Sequence, residues 1–217
     1  MNKAIIIPAS FKGTLSSQEV GHYIEEGIHA VFPKCQTVRI PISDGGEGFV
    51  DAYLYAFKGK KIFVESSGPY SEKMAGFYGL INDQTAVFEI ASNAGLPLVK
   101  GRENPSLTTT YGTGEVIRTA IESGVKHVVL GLGGSCTNDA GVGIAAALGI
   151  RFLDKNGTSF LPTGKTLCDI VDIDASKSLT KGVRFTVLCD VKHTFYGPQG
   201  AAYIFSPQKG ANPEMVQ

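Results

Sequence analysis

The segment from Gly131 to Asp139 directly follows an apolar run and combines glycines with hydroxyl, amide and carboxylate side chains. The run Val128–Leu130 predicts a buried parallel strand. An alanine-rich helix is predicted from Ala140 to Leu148, where Gly149 ends it. A strand, a glycine turn and a helix in this order leave unpaired backbone N–H groups at the carboxyl edge of a sheet, beside the positive end of the helix dipole. The segment therefore predicts a place where an oxyanion binds well.

Gly141 and Gly143 fall inside that predicted helix, where glycine costs about 1 kcal/mol relative to alanine. Their presence indicates that something approaches the helix backbone closely. The approaching group is either a ligand or a neighbouring element packed tightly on the helix.

Asp44 and Glu47 flank the pair Gly45 and Gly46 directly after another apolar run. Carboxylates in such a loop suit magnesium, which takes few protein oxygens and keeps several waters. Either carboxylate could also accept a proton from a substrate hydroxyl. The structural alternative is a turn in which Asp44 caps the following helix.

Three more segments place polar side chains beside predicted strands or helices. Lys12, in the loop 10–13, could offset phosphate charge, although a loop lysine is often only solvated. Residues 109–115 combine hydroxyls and glycines at a helix start, which ordinary capping by Thr113 would also explain. Asp190 ends an apolar strand and is a candidate base or metal ligand, or else the start of a turn. If these loops converge on one sheet edge, they form a site for a phosphorylated or strongly anionic small molecule.

Two familiar nucleotide patterns do not fit. Gly164-Lys165-Thr166 would need a glycine at position 159 to end a P-loop, and that residue is Ser159. The pair Gly131 and Gly133 would need a third glycine where Cys136 stands, which argues against a Rossmann dinucleotide site.

The predicted elements that position these loops are of two kinds. Strands at 3–8 and 37–42 alternate with helices at 17–32 and 49–57, which predicts a parallel α/β sheet. Strands at 61–66, 73–81 and 85–91 then follow as a meander, with a further strand at 183–188. We therefore expect an α/β protein with a parallel-sheet domain and a second, antiparallel-rich α/β domain. The expected domains are 1–59 plus 111–150, and 60–110 plus 151–217.

The composition excludes some classes of partner. Lys+Arg and Asp+Glu are both 20 in 217 residues, so no overall field favours nucleic acid or an anionic membrane. No apolar run reaches the roughly 20 residues of a membrane span. The four cysteines have no CxxC pair and are expected to be reduced, mostly buried thiols of a cytoplasmic protein. The sequence leaves the oligomeric state open.

Six blocks together resemble the bacterial glycerate kinases of D-glycerate and glyoxylate utilisation. They are PASFKGTLSS, PISDGGEGFVDA, NPSLTTTYGTGEVI, GLGGSCTNDAGVG, LCDV and SPQKGA. The resemblance covers nearly the whole chain and implies ATP-dependent phosphorylation of D-glycerate with Mg2+, commonly to the 2-phosphate. It also implies a flavodoxin-like domain, incomplete here because the family's chains are longer, and an inserted domain, with the active site between them.

The resemblance and the loop chemistry together give a set of expected roles. Asp190 is expected to be the catalytic base, with Asp44 as its rival, and Lys12 to offset charge. Asp44 and Glu47 are expected to bind the metal. The residues expected to contact substrate or phosphate are Ser10, Gly45, Gly46, Thr110, Gly112, Thr113, Gly133, Gly134, Ser135 and Asn138.

The last residues contain the start of a helix. Asn212-Pro213-Glu214 combines an N-cap residue, a proline at the first helical position and an acid in the first turn. Because one turn of helix is not stable alone, we expect the chain to be a fragment or the product of a truncated gene. Two alternatives to an active kinase then follow: a non-catalytic remnant, or a small-anion-binding protein on the same scaffold.

Overall fold

The computed structural model describes all 217 residues as ten strands and seven α-helices, joined by loops and three short 3₁₀ turns. The strands are β1 (Lys3–Ile6), β2 (Gln36–Arg39), β3 (Lys60–Ser67), β4 (Lys73–Asn82), β5 (Thr85–Glu89), β6 (His127–Gly131), β7 (Arg151–Leu153), β8 (Ser159–Phe160), β9 (Asp172–Asp174) and β10 (Arg184–Leu188). The helices are α1 (Ser17–Val31), α2 (Phe49–Phe57), α3 (Ala91–Ala94), α4 (Tyr111–Glu122), α5 (Val142–Ala147), α6 (Ala201–Phe205) and α7 (Pro213–Val216). None of the helices combines the length and the apolar character that a bilayer span requires.

A five-stranded mixed sheet in the order β10-β6-β5-β4-β3 forms the centre of the molecule. β10, β6 and β5 run parallel, whereas β4 is antiparallel to both β5 and β3. Consequently β3, β5, β6 and β10 all end at the same edge of the sheet. Loops that leave those four strands must begin beside one another.

Helices cover both faces of this sheet, because side chains alternate along each strand. Phe88 and Val128 face α4 and pack in one buried cluster with Ile117. Val87 and Val129 point to the opposite face and pack against Phe49 and Val50 of α2. The central strands are therefore apolar on both sides and hold the sheet edge rigidly.

The N-terminal strands form a separate two-stranded parallel sheet, in which Lys3 pairs with Gln36. A capping box of Ser16 and Glu19 begins α1, which covers one face of this sheet. The other face exposes apolar side chains, among them Ile5 (60% exposed) and Ile7 (55%). A third sheet, β8-β7-β9, is small and antiparallel.

Most predicted elements are confirmed, including the meander of β3, β4 and β5 and the start of a helix at Pro213. The helix predicted from 140 to 148 is shorter, at 142–147, because Ala140 and Gly141 adopt left-handed backbone conformations. All four cysteines are free, but only Cys35 and Cys136 are buried, so the expectation of mostly buried thiols holds for half of them.

The sheet topology also bears on the expected domains. β6, from the segment 111–150, is hydrogen-bonded to β5 on one side and β10 on the other. The five-stranded sheet thus joins strands from both expected domains. The mixed α/β class with parallel and antiparallel sheets is confirmed, whereas the division into the two domains and the flavodoxin-like topology stay predictions.

Candidate functional site

The loops that follow β1 and β2 are tied together by one hydroxyl at the start of α1. Ser17 Oγ donates to the Pro8 carbonyl at 2.7 Å and accepts from the Ile42 N–H at 3.1 Å. This places Lys12 and Asp44 side by side, with 3.0 Å between Nζ and Oδ2. Two residues that sequence analysis chose from separate loops therefore meet.

Asp44 is held in its ionised form. Its Oδ2 accepts from Lys12 and its Oδ1 accepts from the Gly46 N–H at 3.0 Å. The hydrogen bond from Lys12 is the main cause that lowers the pKa of Asp44. The side chain is still 48% exposed, so it remains accessible to a ligand or a cation.

The alternative that Asp44 caps α2 does not describe this loop. The N-cap of α2 is Gly48, in a left-handed conformation and without a side-chain cap. The first turn of α2 is instead hydrogen-bonded to Glu89, the last residue of β5. The Val50 N–H donates to Glu89 Oε2 at 2.9 Å. Glu89 is 3% exposed, and burial raises its pKa.

Sequence reasoning missed Glu89. The available signal was a carboxylate at the end of the apolar strand Ala86–Phe88. Charged residues are almost never fully buried without a partner, so a carboxylate at this position needs a donor. The donors belong to the start of α2, 39 residues earlier in the chain, which no local pattern reveals.

The Asp44–Gly48 loop packs backbone on backbone against the turn after β6. The Gly133 N–H donates to the Gly45 carbonyl at 3.1 Å. A Cβ at Gly133 would lie 2.7 Å from the Gly46 nitrogen, closer than real Cβ atoms approach. The carbonyl of Leu188, the last residue of β10, lies 3.4 Å from the Cβ position of Gly45. Three distant segments therefore converge at the carboxyl edge of the five-stranded sheet, although the Asp44 loop follows a strand of the separate β1–β2 sheet.

The turn at Gly134 and Ser135 has backbone N–H donors without a protein acceptor. Other backbone groups of the turn are hydrogen-bonded. The Leu96 N–H donates to the Gly134 carbonyl, and the Cys136 N–H donates to the Ala94 carbonyl. The Gly134 and Ser135 N–H groups donate to no protein acceptor. Gly134 has φ +74° and is exposed, and two adjacent amides without a protein acceptor suit an anion.

Lys209 reaches this turn from the far end of the chain. Its Nζ donates to Ser135 Oγ at 2.9 Å and to the Thr137 carbonyl at 2.6 Å. The residue is 8% exposed, and burial lowers its pKa. Lys209 belongs to the block SPQKGA, but its local sequence gives no reason to assign it a role.

The candidates at the start of α4 lie inside the protein. Asp139, which is 1% exposed, accepts from both the N–H and the hydroxyl of Thr110 at 2.8 Å. Gly112 packs on the carbonyl of Ser67. Thr113 does not cap the helix, and its buried hydroxyl has no partner. These contacts favour a supporting role for the segment over direct contact with a ligand.

The close approach predicted at Gly143 is also internal. A Cβ there would lie 2.8 Å from the Thr110 nitrogen, so α5 packs directly on the start of α4. Gly141 has φ +75° and open space beside it, so its glycine serves the backbone conformation. The packing alternative therefore accounts for Gly143, whereas the left-handed backbone accounts for Gly141.

Four remaining candidates make no side-chain hydrogen bond to the protein. Asp190 and Glu47 are exposed, while Ser10 and Asn138 are half-buried. Asp190 follows Leu188 by two residues and so leaves the sheet at the same edge as Gly133. No three His, Cys, Asp or Glu side chains are close enough to form a metal centre. Since magnesium needs only one or two protein carboxylates, its assignment to Asp44 and Glu47 stays a prediction.

Comparison with known proteins gives concordant matches along nearly the whole chain. The glycerate kinase family profile matches residues 4–217. The chain is 44% identical to a glycerate kinase of Bacillus cereus, and the match covers 99% of this chain and 58% of that protein. It is 41% identical to a glycerate 2-kinase of Escherichia coli, covering 99% and 57% respectively.

A solved structure gives the same result. The crystal structure of a glycerate kinase 2 candidate from Salmonella typhimurium LT2 superposes with a TM-score of 0.84 at 40% identity, covering 99% of this chain and 59% of that one. The chain thus spans a little under three fifths of the length of the curated relatives it matches.

Proposed function

The chain belongs to the glycerate kinase family, and we propose that the protein transfers the terminal phosphoryl group of ATP to D-glycerate, giving phosphoglycerate, most simply the 2-phosphate. Because the chain covers 58% of its relative from Bacillus cereus, we propose this activity for the protein as a whole. The observation that carries the proposal is the packing of the Gly45–Gly46 backbone, next to the Lys12–Asp44 pair, against Gly133.

Phosphoryl transfer asks a protein mainly to position two anions, to offset their charge and to orient one hydroxyl. We assign the anion contact to the unpaired amides of Gly134 and Ser135 and the charge compensation to Lys12. A glycerate hydroxyl attacks the terminal phosphorus, the new O–P bond forms as the bond to the ADP oxygen breaks, and the hydroxyl proton passes to a carboxylate.

Asp190 is our choice for that carboxylate. A base must take up a proton, and the lowered pKa of Asp44 opposes this. Asp190 is exposed, makes no hydrogen bond and leaves the sheet at the same edge. We assign Asp44 a different role, in which its carboxylate positions the ammonium of Lys12. Lys12 is 65% exposed and is therefore accessible to a ligand.

Asp44 and Glu47 fit magnesium, because they offer one or two carboxylates on an accessible loop beside the proposed phosphate turn. The ion would supply further neutralisation of phosphate charge. Ser10, Gly45, Gly46 and Asn138 would line the same loops. Thr110, Gly112 and Thr113 would act by holding the turn in place.

Two further proposals concern the setting of the reaction. The exposed apolar face of the β1–β2 sheet supports an incomplete flavodoxin-like domain, since parallel sheets are normally covered on both faces. The four free cysteines fit a reducing, cytoplasmic location. D-glycerate and ATP are the partners we propose, with no nucleic acid and no membrane.

The test is an assay for ADP release that depends on D-glycerate, with the product identified by phosphorus NMR. Asp190→Asn should lower turnover roughly a hundredfold or more, whereas Asp83→Asn, in an exposed turn away from the site, should leave it unchanged. Turnover of Asp190→Asn within a few-fold of the parent would rule out Asp190 as the base. ATP binding without turnover would favour the anion-binding alternative, and in that case Asp44→Asn should tighten binding.

A further inference from the structure

Lys209 is a buried cation with no carboxylate partner. Its Nζ forms no ion pair within 4.0 Å, although eight other pairs form in the molecule. Among carboxylates Asp139 acts on its charge, and the oxygens of Asp139 already accept from Thr110 and Gly141. Because an unpaired buried ammonium is costly, its retention at this position needs a reason.

The bond to Ser135 suggests the reason. An ammonium has three donors and no acceptor, so Ser135 Oγ must accept the hydrogen from Lys209. The hydrogen of the Ser135 hydroxyl is then free to donate elsewhere. Ser135 is half-buried, and its hydroxyl forms no other bond within the protein.

We propose that Lys209 is a positioning residue that accommodates an anionic ligand at the Gly134–Ser135 turn by fixing the Ser135 hydroxyl as an outward hydrogen-bond donor. Its second bond, to the Thr137 carbonyl at 2.6 Å, anchors the backbone on the other side of Cys136. The hydroxyl and the unused N–H groups of Gly134 and Ser135 then form one set of donors, with a positive charge directly behind them. An unpaired cation suits such a position, since a ligand phosphate supplies the missing negative charge.

This inference rests on the proposed function, because the ligand it names is the phosphoryl group of ATP. It adds that Lys209 acts through Ser135 and not through general stabilisation of the fold. The two residues are 74 positions apart, so their effects on ligand affinity should be coupled only if the bond between them matters.

The experiment is a double-mutant cycle on the 217-residue chain, with ATP affinity measured by calorimetry. Lys209→Met and Ser135→Ala should each weaken binding about tenfold or more, the range for hydrogen bonds to charged groups. The double variant should bind only slightly more weakly than either single variant. Lys209→Arg should recover part of the affinity, and Lys181→Met, at an exposed lysine, should change nothing.

The outcomes separate this inference from the proposed function. If the parent chain binds ATP and the Ser135→Ala variant binds it equally well, the inference is overturned and the kinase proposal stands. Additive losses also overturn it, since Lys209 would then act independently of Ser135. A parent chain that does not bind ATP overturns the inference, whereas the kinase proposal for the whole protein is decided by the ADP-release assay. If Lys209→Met fails to fold, as judged by circular dichroism, Ser135→Ala and Lys209→Arg still decide the question.

Discussion

Gly133→Ala tests the contact that brings the candidate site together. The added methyl would lie 2.7 Å from the Gly46 nitrogen and 2.8 Å from its Cα. Both atoms belong to backbone, so no side chain can rotate away. To reach an ordinary separation of 3.4 Å the two loops must part by about 0.7 Å, which strains the bond from the Gly133 N–H to Gly45.

The expected cost is that of overpacking, about 1–3 kcal/mol of unfolding free energy. For a chain of this size that corresponds to a melting temperature lower by roughly 2–12 °C. The displacement also carries Asp44 away from the Gly134–Ser135 turn. Because misplacement on the order of 1 Å can cost a hundredfold in rate, ATP affinity and turnover should fall much more than stability does.

The assay is thermal unfolding followed by circular dichroism, together with ATP calorimetry. Gly27→Ala is the matched control: the same methyl goes into α1, where it meets nothing within 4 Å. That variant should be more stable by up to about 1 kcal/mol. Equal melting temperatures for Gly133→Ala and the parent would refute the close packing of these two loops.

Three other variants probe the charges around the site. Because burial raises the pKa of Glu89 above 4.5, the folded state holds more protons than the unfolded state between the two values, and stability falls as pH rises through that window. Glu89→Gln keeps an acceptor for the Val50 N–H and should flatten this dependence in denaturant titrations between pH 4 and 7. Lys12→Met should change stability by at most about 1 kcal/mol, since its pair with Asp44 is exposed, yet weaken ATP binding about tenfold. Asp139→Ala leaves two buried donors of Thr110 unpaired and should destabilise the chain by about 3 kcal/mol in the same titrations.

Each of these expectations has a contrary result. A pH dependence unchanged in Glu89→Gln would mean that Glu89 does not titrate with a raised pKa. A large loss of stability in Lys12→Met would show that its role is structural. An Asp139→Ala chain as stable as the parent would contradict the bonds to Thr110, and Asp83→Ala provides the control for removal of an exposed carboxylate.

Local patterns predicted the elements well because their causes are local. The helix start at Asn212 and Pro213 needs only neighbouring residues, and the meander follows from short apolar strands between turn residues. The left-handed backbone at Ala140 was not predicted, since alanine seldom adopts it. This single residue and Gly141 delay the start of α5.

The site was predictable only to the extent that one rule applies, namely that the parallel strands of a sheet end at a common edge. This rule brought Gly133 and the end of β10 together. Asp44 follows a strand of the separate β1–β2 sheet and reaches them through the packing of Gly45 and Gly46 on Gly133. The rule could not reveal the partners of Glu89 and Lys209, because hydrogen bonds spanning 39 and 72–74 residues depend on how the whole chain packs. Lys209 had no local sign of burial, and Glu89 had only its place at the end of an apolar strand.

The buried side chains of Glu89 and Lys209 explain how the exposed side chains of Lys12 and Asp44 are positioned. Glu89 binds the start of α2 and thereby fixes the loop that carries Asp44. Lys209 binds the Ser135–Thr137 turn, which the first loop touches through Gly133. The exposed ion pair of Lys12 and Asp44 does not itself have to be rigid, because hydrogen bonds inside the fold hold the neighbouring loops. Substitution of either buried charge should therefore disturb ligand binding even though neither the Glu89 carboxylate nor the Lys209 ammonium is expected to touch the ligand.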